Sequence, residues 1–271
     1  GVARALPSQD SFLWLNQRLA TGNVYLNAQY LQPVGVGGKD SFQRLPELGH
    51  RMVNVPLFGS PVLFSADSTV NHFYREEGFA LSRADLMPSL TIDPIHVGHV
   101  LGITPHLRLR ETFYTRSAGS KEVAHRETLW AGLEAVSRLA RSYTADDGRA
   151  VQHTIEPRVI YEYVPPTDQS DIVQVDDVDN LTKKNMVTYS LRSRLMRAER
   201  GGASRNLFDL TIAQSYRVGG AQTDAREFPF AGTEQFTTVT QPIQPAAVAV
   251  AGKKFSDVWT RAVIGDAATF A

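Results

Sequence analysis

Strict alternation of apolar and polar residues runs through most of this chain. It commits those stretches to half-buried β-strands, because successive side chains of a strand point to opposite faces. Between Leu207 and Val218, Phe208, Leu210, Ile212, Tyr216 and Val218 share one face; Asp209, Thr211, Ala213, Ser215 and Arg217 share the other. Over 186–197 the same period sets Val187, Tyr189, Leu191 and Leu195 against Thr188, Ser190, Arg192 and Arg194. Over 62–74 it sets Val62, Phe64, Ala66, Val70 and Tyr74 against Ser65, Asp67, Thr69 and Asn71, and over 106–114 Leu107, Leu109 and Phe113 against His106, Arg108, Arg110 and Thr112. Weaker copies lie near 23–32, 49–57, 79–92, 128–143, 152–164 and 255–266, about ten strands in all. Helical periodicity does not extend beyond single turns.

Soluble strands centre on about 5–6 residues, whereas a strand that crosses a membrane at a tilt needs about 9–11. The lengths here favour a membrane barrel, and a soluble antiparallel sheet with one wet face stays open. Pro46, Pro56, Pro88, Pro105 and Pro157 fall inside the periodic stretches. Lacking a ladder donor, they are expected at strand ends or bulges.

The 271 residues carry 28 basic and 28 acidic side chains, so no net field points toward nucleic acid. With 42% hydrophobic residues the chain is too apolar to be disordered, and without cysteine it has no disulfide and no thiolate metal site. No apolar run approaches the length of about 18 that a membrane-crossing helix needs. The longest, Ala246 to Ala251 after Pro245, reads as loop. A closed barrel spans a membrane without helices, because its strands satisfy one another's backbone groups. Gly1 is not preceded by a signal peptide, and Ala271 falls inside a strand pattern, so the expectation is a piece of a longer chain. Its first and last strands are then expected to be unpaired edges.

Gly59-Ser60-Pro61 and Ala118-Gly119-Ser120 mark tight turns. Two connections are long and polar, Pro165 to Asn185 and Gly219 to Lys254, the second with Pro229, Pro242 and Pro245. Such loops suit the extracellular side of an outer-membrane barrel. Arg108, Arg110, Arg192, Arg194, Glu134 and Arg138 sit mid-strand on polar faces, where a barrel would turn them to a wet lumen.

Positive signs of catalysis are missing. There is no nucleophile elbow and no phosphate-cradling loop. His96 and His99 are three apart near a turn, with no third ligand implied. The acidic run Asp168, Asp171, Asp176, Asp177 and Asp179 does not follow calcium-loop spacing and reads as a solvated surface loop.

The stretch Glu156-Pro157-Arg158-Val159-Ile160-Tyr161-Glu162-Tyr163-Val164-Pro165 runs into Pro166-Thr167-Asp168-Gln169-Ser170-Asp171-Ile172. It resembles the signature of the LptD family of LPS-assembly outer-membrane proteins (OstA, organic solvent tolerance protein), in which a Tyr-x-Tyr-Val-Pro strand end leads into Asp-Gln-Ser-Asp-Ile. Arg44-Leu45-Pro46-Glu47-Leu48, Arg83 to Pro88, Thr104-Pro105 through Tyr114, Ala213-Gln214-Ser215-Tyr216 and Ser256-Asp257-Val258-Trp259 resemble further elements of that family. The likeness runs from about residue 40 to the end; the first forty residues carry no such motif.

The resemblance implies an all-β, antiparallel transmembrane β-barrel segment over 1–271, the middle section of the barrel domain, without the N-terminal jelly roll and the remaining strands. It implies a transport protein and not an enzyme, without cofactors, in the outer membrane of a Gram-negative bacterium. The partners it implies are lipopolysaccharide, outer-membrane lipid, an LptE-type lipoprotein in the lumen and an LptA-type periplasmic bridge protein, with no nucleic acid. Within the motif, Tyr161 and Tyr163 suit an aromatic girdle at headgroup level, and Glu156, Arg158 and Glu162 suit cross-strand ion pairs on the lumen face. Pro165 stops the ladder, and Asp168 and Asp171 are expected to bind local amides and order a loop that folds toward the lumen, an architectural role. Arg108, Arg110, Arg192 and Arg194 are candidate lumenal contacts for lipopolysaccharide, whose phosphates and acidic sugars suit bidentate arginine. The competing reading has these arginines paired with other lumenal charges. A porin or receptor-type transporter, or a soluble β-rich binding module, remains the alternative.

Overall fold

The computed structural model describes residues 8–33, 42–118, 122–179, 181, 183–199, 202–219 and 254–265. Among them run thirteen strands: β1 (Ser8–Arg18), β2 (Gly22–Pro33), β3 (Gln43–Pro56), β4 (Val62–Tyr74), β5 (Leu81–Ile92), β6 (Ile95–Val97), β7 (Leu101–Tyr114), β8 (Ala124–Ser137), β9 (Leu139–Thr144), β10 (Ala150–Val164), β11 (Lys184–Ala198), β12 (Ser204–Arg217) and β13 (Trp259–Ile264). One 3₁₀ turn, Asp177–Asp179, is the sole helical element among the described residues. Among these residues no helix is long and apolar enough to cross a membrane. The strands hydrogen-bond as β1-β2-β3-β4-β5-β7-β8-β10-β11-β12-β13, with β6 on β7 and β9 on β10. The pairings are antiparallel, and β1 and β13 end the order without joining, so this is the open, all-β antiparallel sheet that the alternation predicts.

Thirteen strands stand where the alternation marks ten, for identifiable reasons. β1 carries the run Phe12-Leu13-Trp14-Leu15, which hides its period, and β6 is too short to show one. The single stretch read over 128–143 is two strands, β8 and β9. Their neighbour β10 pairs with β9 up to Ile155↔Leu139 and resumes with β8 at Arg158↔Val136 in unchanged register. Pro157 lies in that gap and offers no N–H to the ladder. Pro88 does the same in β5, whose pairing with β7 skips from Leu86↔Glu111 to Ser89↔Arg108. These two prolines are therefore inside strands, at gaps in one ladder, and not at strand ends. Pro105 also lies inside a strand, in β7 between its stretches paired with β5 and with β6. Pro46 coincides with a bulge in the β3–β4 pairing, and Pro56 ends β3.

Connection lengths alternate. One end of the strands carries 19–21, 57–61, the segment 93–100 around β6, 145–149 and 199–203; the other carries 34–42, 75–80, 115–123, 165–183 and 218–258. The turn at Gly59, with φ 70°, is closed by Leu57 N to Val62 O at 2.8 Å. The Ala118-Gly119-Ser120 turn, the loop reading for Ala246–Ala251 and the strand pattern at Ala271 fall wholly or partly outside the described residues.

The chain forms two units: Gly1–Asp93, His106–Trp130 and Pro165–Leu181; and Pro94–Pro105, Ala131–Val164 and Thr182–Ala271. In the first, the register Leu48↔Val70, Val70↔Ala84, Ala84↔Phe113 defines an apolar face on which Leu48, Val70, Leu86 and Phe113 stay exposed, 45–54% each. In the second, Leu133, Val159, Leu191 and Ile212 are exposed in the same way. Leaving such surface in water forfeits about 25 cal/mol per Å², and contiguous exposed apolar faces mark a lipid or protein contact. The opposite, polar face of each unit is tied by cross-strand ion pairs. A buried apolar cluster, Phe73, Leu81, Tyr114, Ala124, Ile172 and Val173, belongs to the first unit and lies on its polar face, beneath the segment after β10.

Candidate functional site

Pro165 and Pro166 end the β10 ladder, and the chain then turns back over the polar face of β3, β5, β7 and β8. Ser170 N donates to Asp168 Oδ1 at 3.0 Å, an Asx turn that opens the segment. Gln169 braces it like a strand partner: Leu181 N donates to Gln169 Oε1 at 2.7 Å, and Gln169 Nε2 donates to Leu181 O at 2.8 Å. Thr167 Oγ1 reaches Thr128 Oγ1 at 3.1 Å. The Asp171 carbonyl accepts from Ala118 N at 3.0 Å and Ser117 Oγ at 3.2 Å, which ties the segment to the β7–β8 connection. Ile172 and Val173 then enter the buried cluster.

The centre of the arrangement is Asp179, with no exposed surface. Its Oδ1 accepts from Arg83 Nη1 at 2.8 Å and Tyr114 Oη at 2.7 Å, and its Oδ2 from the amides of Val175 at 2.8 Å and Asp176 at 3.0 Å. Asp176 takes a bidentate grip from Arg83 at 2.7 and 3.0 Å, a third bond from Arg44 Nη2 at 3.2 Å, and the Val178 amide at 3.0 Å. Arg126, also buried, donates to the carbonyls of Asp179 and Val178, both at 2.8 Å, and to Gln169 Oε1 at 3.2 Å. Arg44 also pairs with Glu47 at 3.3 Å. Arg44, Arg83 and Arg126 are thus matched by Glu47, Asp176 and Asp179, and the Arg83 guanidinium lies 4.9 Å over the Phe73 ring. Burial works to raise the Asp176 carboxyl, but the hydrogen bonds and charge of Arg83, with the Val178 amide and Arg44, outweigh it and hold the group below the ordinary carboxylate range. The arrangement is a clasp: a loop locked onto a wall by charge-assisted bonds in a place screened from water.

This corrects the reading of the acidic run as a solvated loop. Asp179 is buried and Asp176 largely so, because Arg44 and Arg83, on two strands, turn their side chains to these carboxylates and Arg126, on a third, binds the Asp179 carbonyl. Asp168 does bind a local amide; for Asp171 the contacts described are those of its backbone carbonyl. Arg44, Arg83, Tyr114 and Arg126 were not marked as site residues by the sequence.

Along β10, Glu156, Arg158 and Glu162 face the polar side and meet Arg138 at 3.1 Å, Glu134 at 2.8 Å and Lys184 at 3.7 Å. Tyr161 and Tyr163 take the apolar side with Val159, and Tyr161 Oη donates to Asn185 Oδ1 at 3.2 Å. Val164, at the strand end, is buried. Of the four candidate arginines, three have carboxylate partners. Arg110 holds Asp85 at 2.7 and 2.8 Å, with Thr112 Oγ1 on the same carboxylate at 2.7 Å. Arg192 Nε binds Asp209 at 2.9 Å, and Arg194 approaches that carboxylate at 3.5 Å. Arg108 is exposed, opposite Ser89, and has no polar partner among the described residues. One Glu–His–Glu group, Glu111, His125 and Glu127, brings its ligand atoms within 4.8 Å of one another, with two of its members exposed. His96 and His99 are exposed and not part of it.

The chain is similar to two curated LPS-assembly proteins LptD. That of Cupriavidus metallidurans is 25% identical over 224 residues, covering 69% of this chain and 26% of the relative. That of Cupriavidus necator is 26% identical over 213 residues, covering 66% and 25%. The matched segment thus spans about a quarter of the relatives' length. The family model described as "LptD: LPS transport system D" matches residues 8–253, which takes in the clasp, all strands but the last and both charged walls. By that match, on a sheet of the predicted architecture, the chain belongs to the LptD family of LPS transport proteins.

Proposed function

We propose that this chain is a section of the barrel wall of an outer-membrane translocon that inserts lipopolysaccharide into the outer leaflet. The observation that carries the reading is the division of the sheet into an exposed apolar face and an ion-paired polar face, in strands of up to 15 residues, within a family named for LPS transport. The apolar face meets lipid and the polar face a wet lumen. The end bearing the longer connections is extracellular, as in outer-membrane barrels generally. The clasp is architectural: it fixes the β10–β11 loop against the lumenal wall. The subunit is passive, and energy for transport enters elsewhere in the machine. An LptE-type lipoprotein in the lumen and an LptA-type periplasmic bridge are the partners that this role requires. Arg108, whose charge no described carboxylate neutralises, is the best placed of the four arginines to meet an anionic cargo.

Depleting the full-length protein in its own host, while following newly made lipopolysaccharide to the cell surface, tests the reading. Arrest of surface delivery with accumulation inside supports it. Normal delivery with reduced uptake of small solutes would replace it with the porin reading.

A further inference from the structure

Aromatic rings belong on the apolar face of such a wall, yet three lie on the polar face of β1 and β2. The register Phe12↔Gln29, Trp14↔Asn27, Asn16↔Tyr25 sets Phe12, Trp14 and Tyr25 on one side. Tyr25↔Gly49 and Asn27↔Glu47 join that side to the polar face of β3. Trp14 stacks on Tyr25 with ring centroids 4.7 Å apart and planes 22° from parallel, yet stays half exposed, and Phe12 is 78% exposed. Tyr25 is fixed in turn. Its ring lies across Gly49, where a Cβ would come within 2.1 Å of it. Asn23 Nδ2 donates to Asn16 Oδ1 at 2.9 Å, which stiffens the neighbouring amides.

A braced aromatic pair with amides around it matches one ligand chemistry closely. A sugar ring offers a face of C–H bonds, which an aromatic ring covers, and a rim of hydroxyls, which planar amides bind in both directions. An acyl chain would call for an aliphatic floor instead. A phosphate would call for a cluster of guanidinium groups, whereas Arg51 beside this patch is held by Asp67 at 2.9 Å, which leaves Arg18 as the single arginine on this face of β1 and β2. We propose that Trp14, with Phe12 and Tyr25, forms a stacking platform for the saccharide portion of the transported lipid. It sits on the half of the wall nearer the short turns, with the clasp toward the other end. The inference rests on the reading of this face as the lumen of a lipopolysaccharide translocon.

The test uses the full-length protein in cells, with a photoreactive phenylalanine analogue placed at Phe12, at Trp14 or at Arg108. Lipopolysaccharide adducts at Trp14 and Phe12 are expected, together with a several-fold slowing of surface delivery by Trp14→Ala that Trp14→Phe largely restores. Adducts at Arg108 with none at Phe12 or Trp14, or delivery at the wild-type rate with Trp14→Ala, overturns the platform and leaves the translocon reading standing. Adducts at none of the three positions overturn both.

Discussion

At Asp179 a single carboxylate collects four donors, and its burial makes each of them matter. Replacing it with Asn leaves the Arg83 guanidinium under the loop with only Asp176 to balance it. Disrupting a buried pair in this way costs about 3–5 kcal/mol, so Asp179→Asn is expected to open residues 165–181 to protease in the full-length protein. Asp168→Ala, which removes one turn-forming bond worth about 1 kcal/mol, is expected to have a much smaller effect. Asp176 adds a pH dependence. Its carboxyl lies below the ordinary range in the folded state, so its contribution is complete above the unfolded value and fades as pH falls through the folded one. Loop protection should therefore decline in acid, and Asp176→Asn should weaken protection at neutral pH and flatten that decline. Arg108→Gln should slow surface delivery of lipopolysaccharide more than Arg110→Gln, since Arg110 is already satisfied by Asp85. Equal rates for wild type and Arg108→Gln would remove Arg108 as a contact. Part of the clasp is legible in the sequence. Phe73 falls in phase with Asp67, Thr69 and Asn71, and Tyr114 in phase with Arg108, Arg110 and Thr112. A large ring on a polar row means that something covers it, and the covering segment is the loop itself. What no local pattern encodes is the pairing of Arg83 with Asp179, 96 residues apart.

Among the elements, the prolines teach the most. Alternation alone locates long strands, because a two-residue period survives a missing hydrogen bond; it does not locate the place where a ladder is interrupted. β8 and β9 are separate strands because Pro157 on β10 has no donor to give between them. Pro157→Ala supplies that donor, and hydrogen exchange of the full-length protein in detergent checks the result. The new amide at 157 should exchange slowly and the residues at Arg138 should gain protection; fast exchange there would mean that the gap has another cause. The gain in stability should be at most about 1 kcal/mol. β1 escaped the sequence reading for the opposite reason. Its rings and aliphatic residues occupy both faces in succession, so no period is left to see.

For the whole molecule, the division of faces is the property that sequence declares best, since each residue's face follows from its parity within a strand. Depth is the dimension that parity leaves out, and substitution can measure it. Leu133, mid-strand on the apolar face, should lose about 2–4 kcal/mol on change to Arg, while Tyr143, on the same face one residue from the end of β9, should lose about 0–1 kcal/mol. Folding titrations of the full-length protein into lipid vesicles would show the difference, and equal losses would count against a membrane around this face.

The clasp also sets an order in time. Arg44 and Asp176 are 132 residues apart, and Arg83 and Asp179 are 96 apart, so the donors reside on strands long preceding the acceptors. Closing such long loops is slow, because the chain loses entropy before the contact repays it. The β10–β11 segment therefore has no seat until β3, β5, β7 and β8 lie side by side. Its fastening therefore marks the point at which this stretch of the sheet has come together, and a clasp left open marks a sheet whose earlier strands are not yet paired.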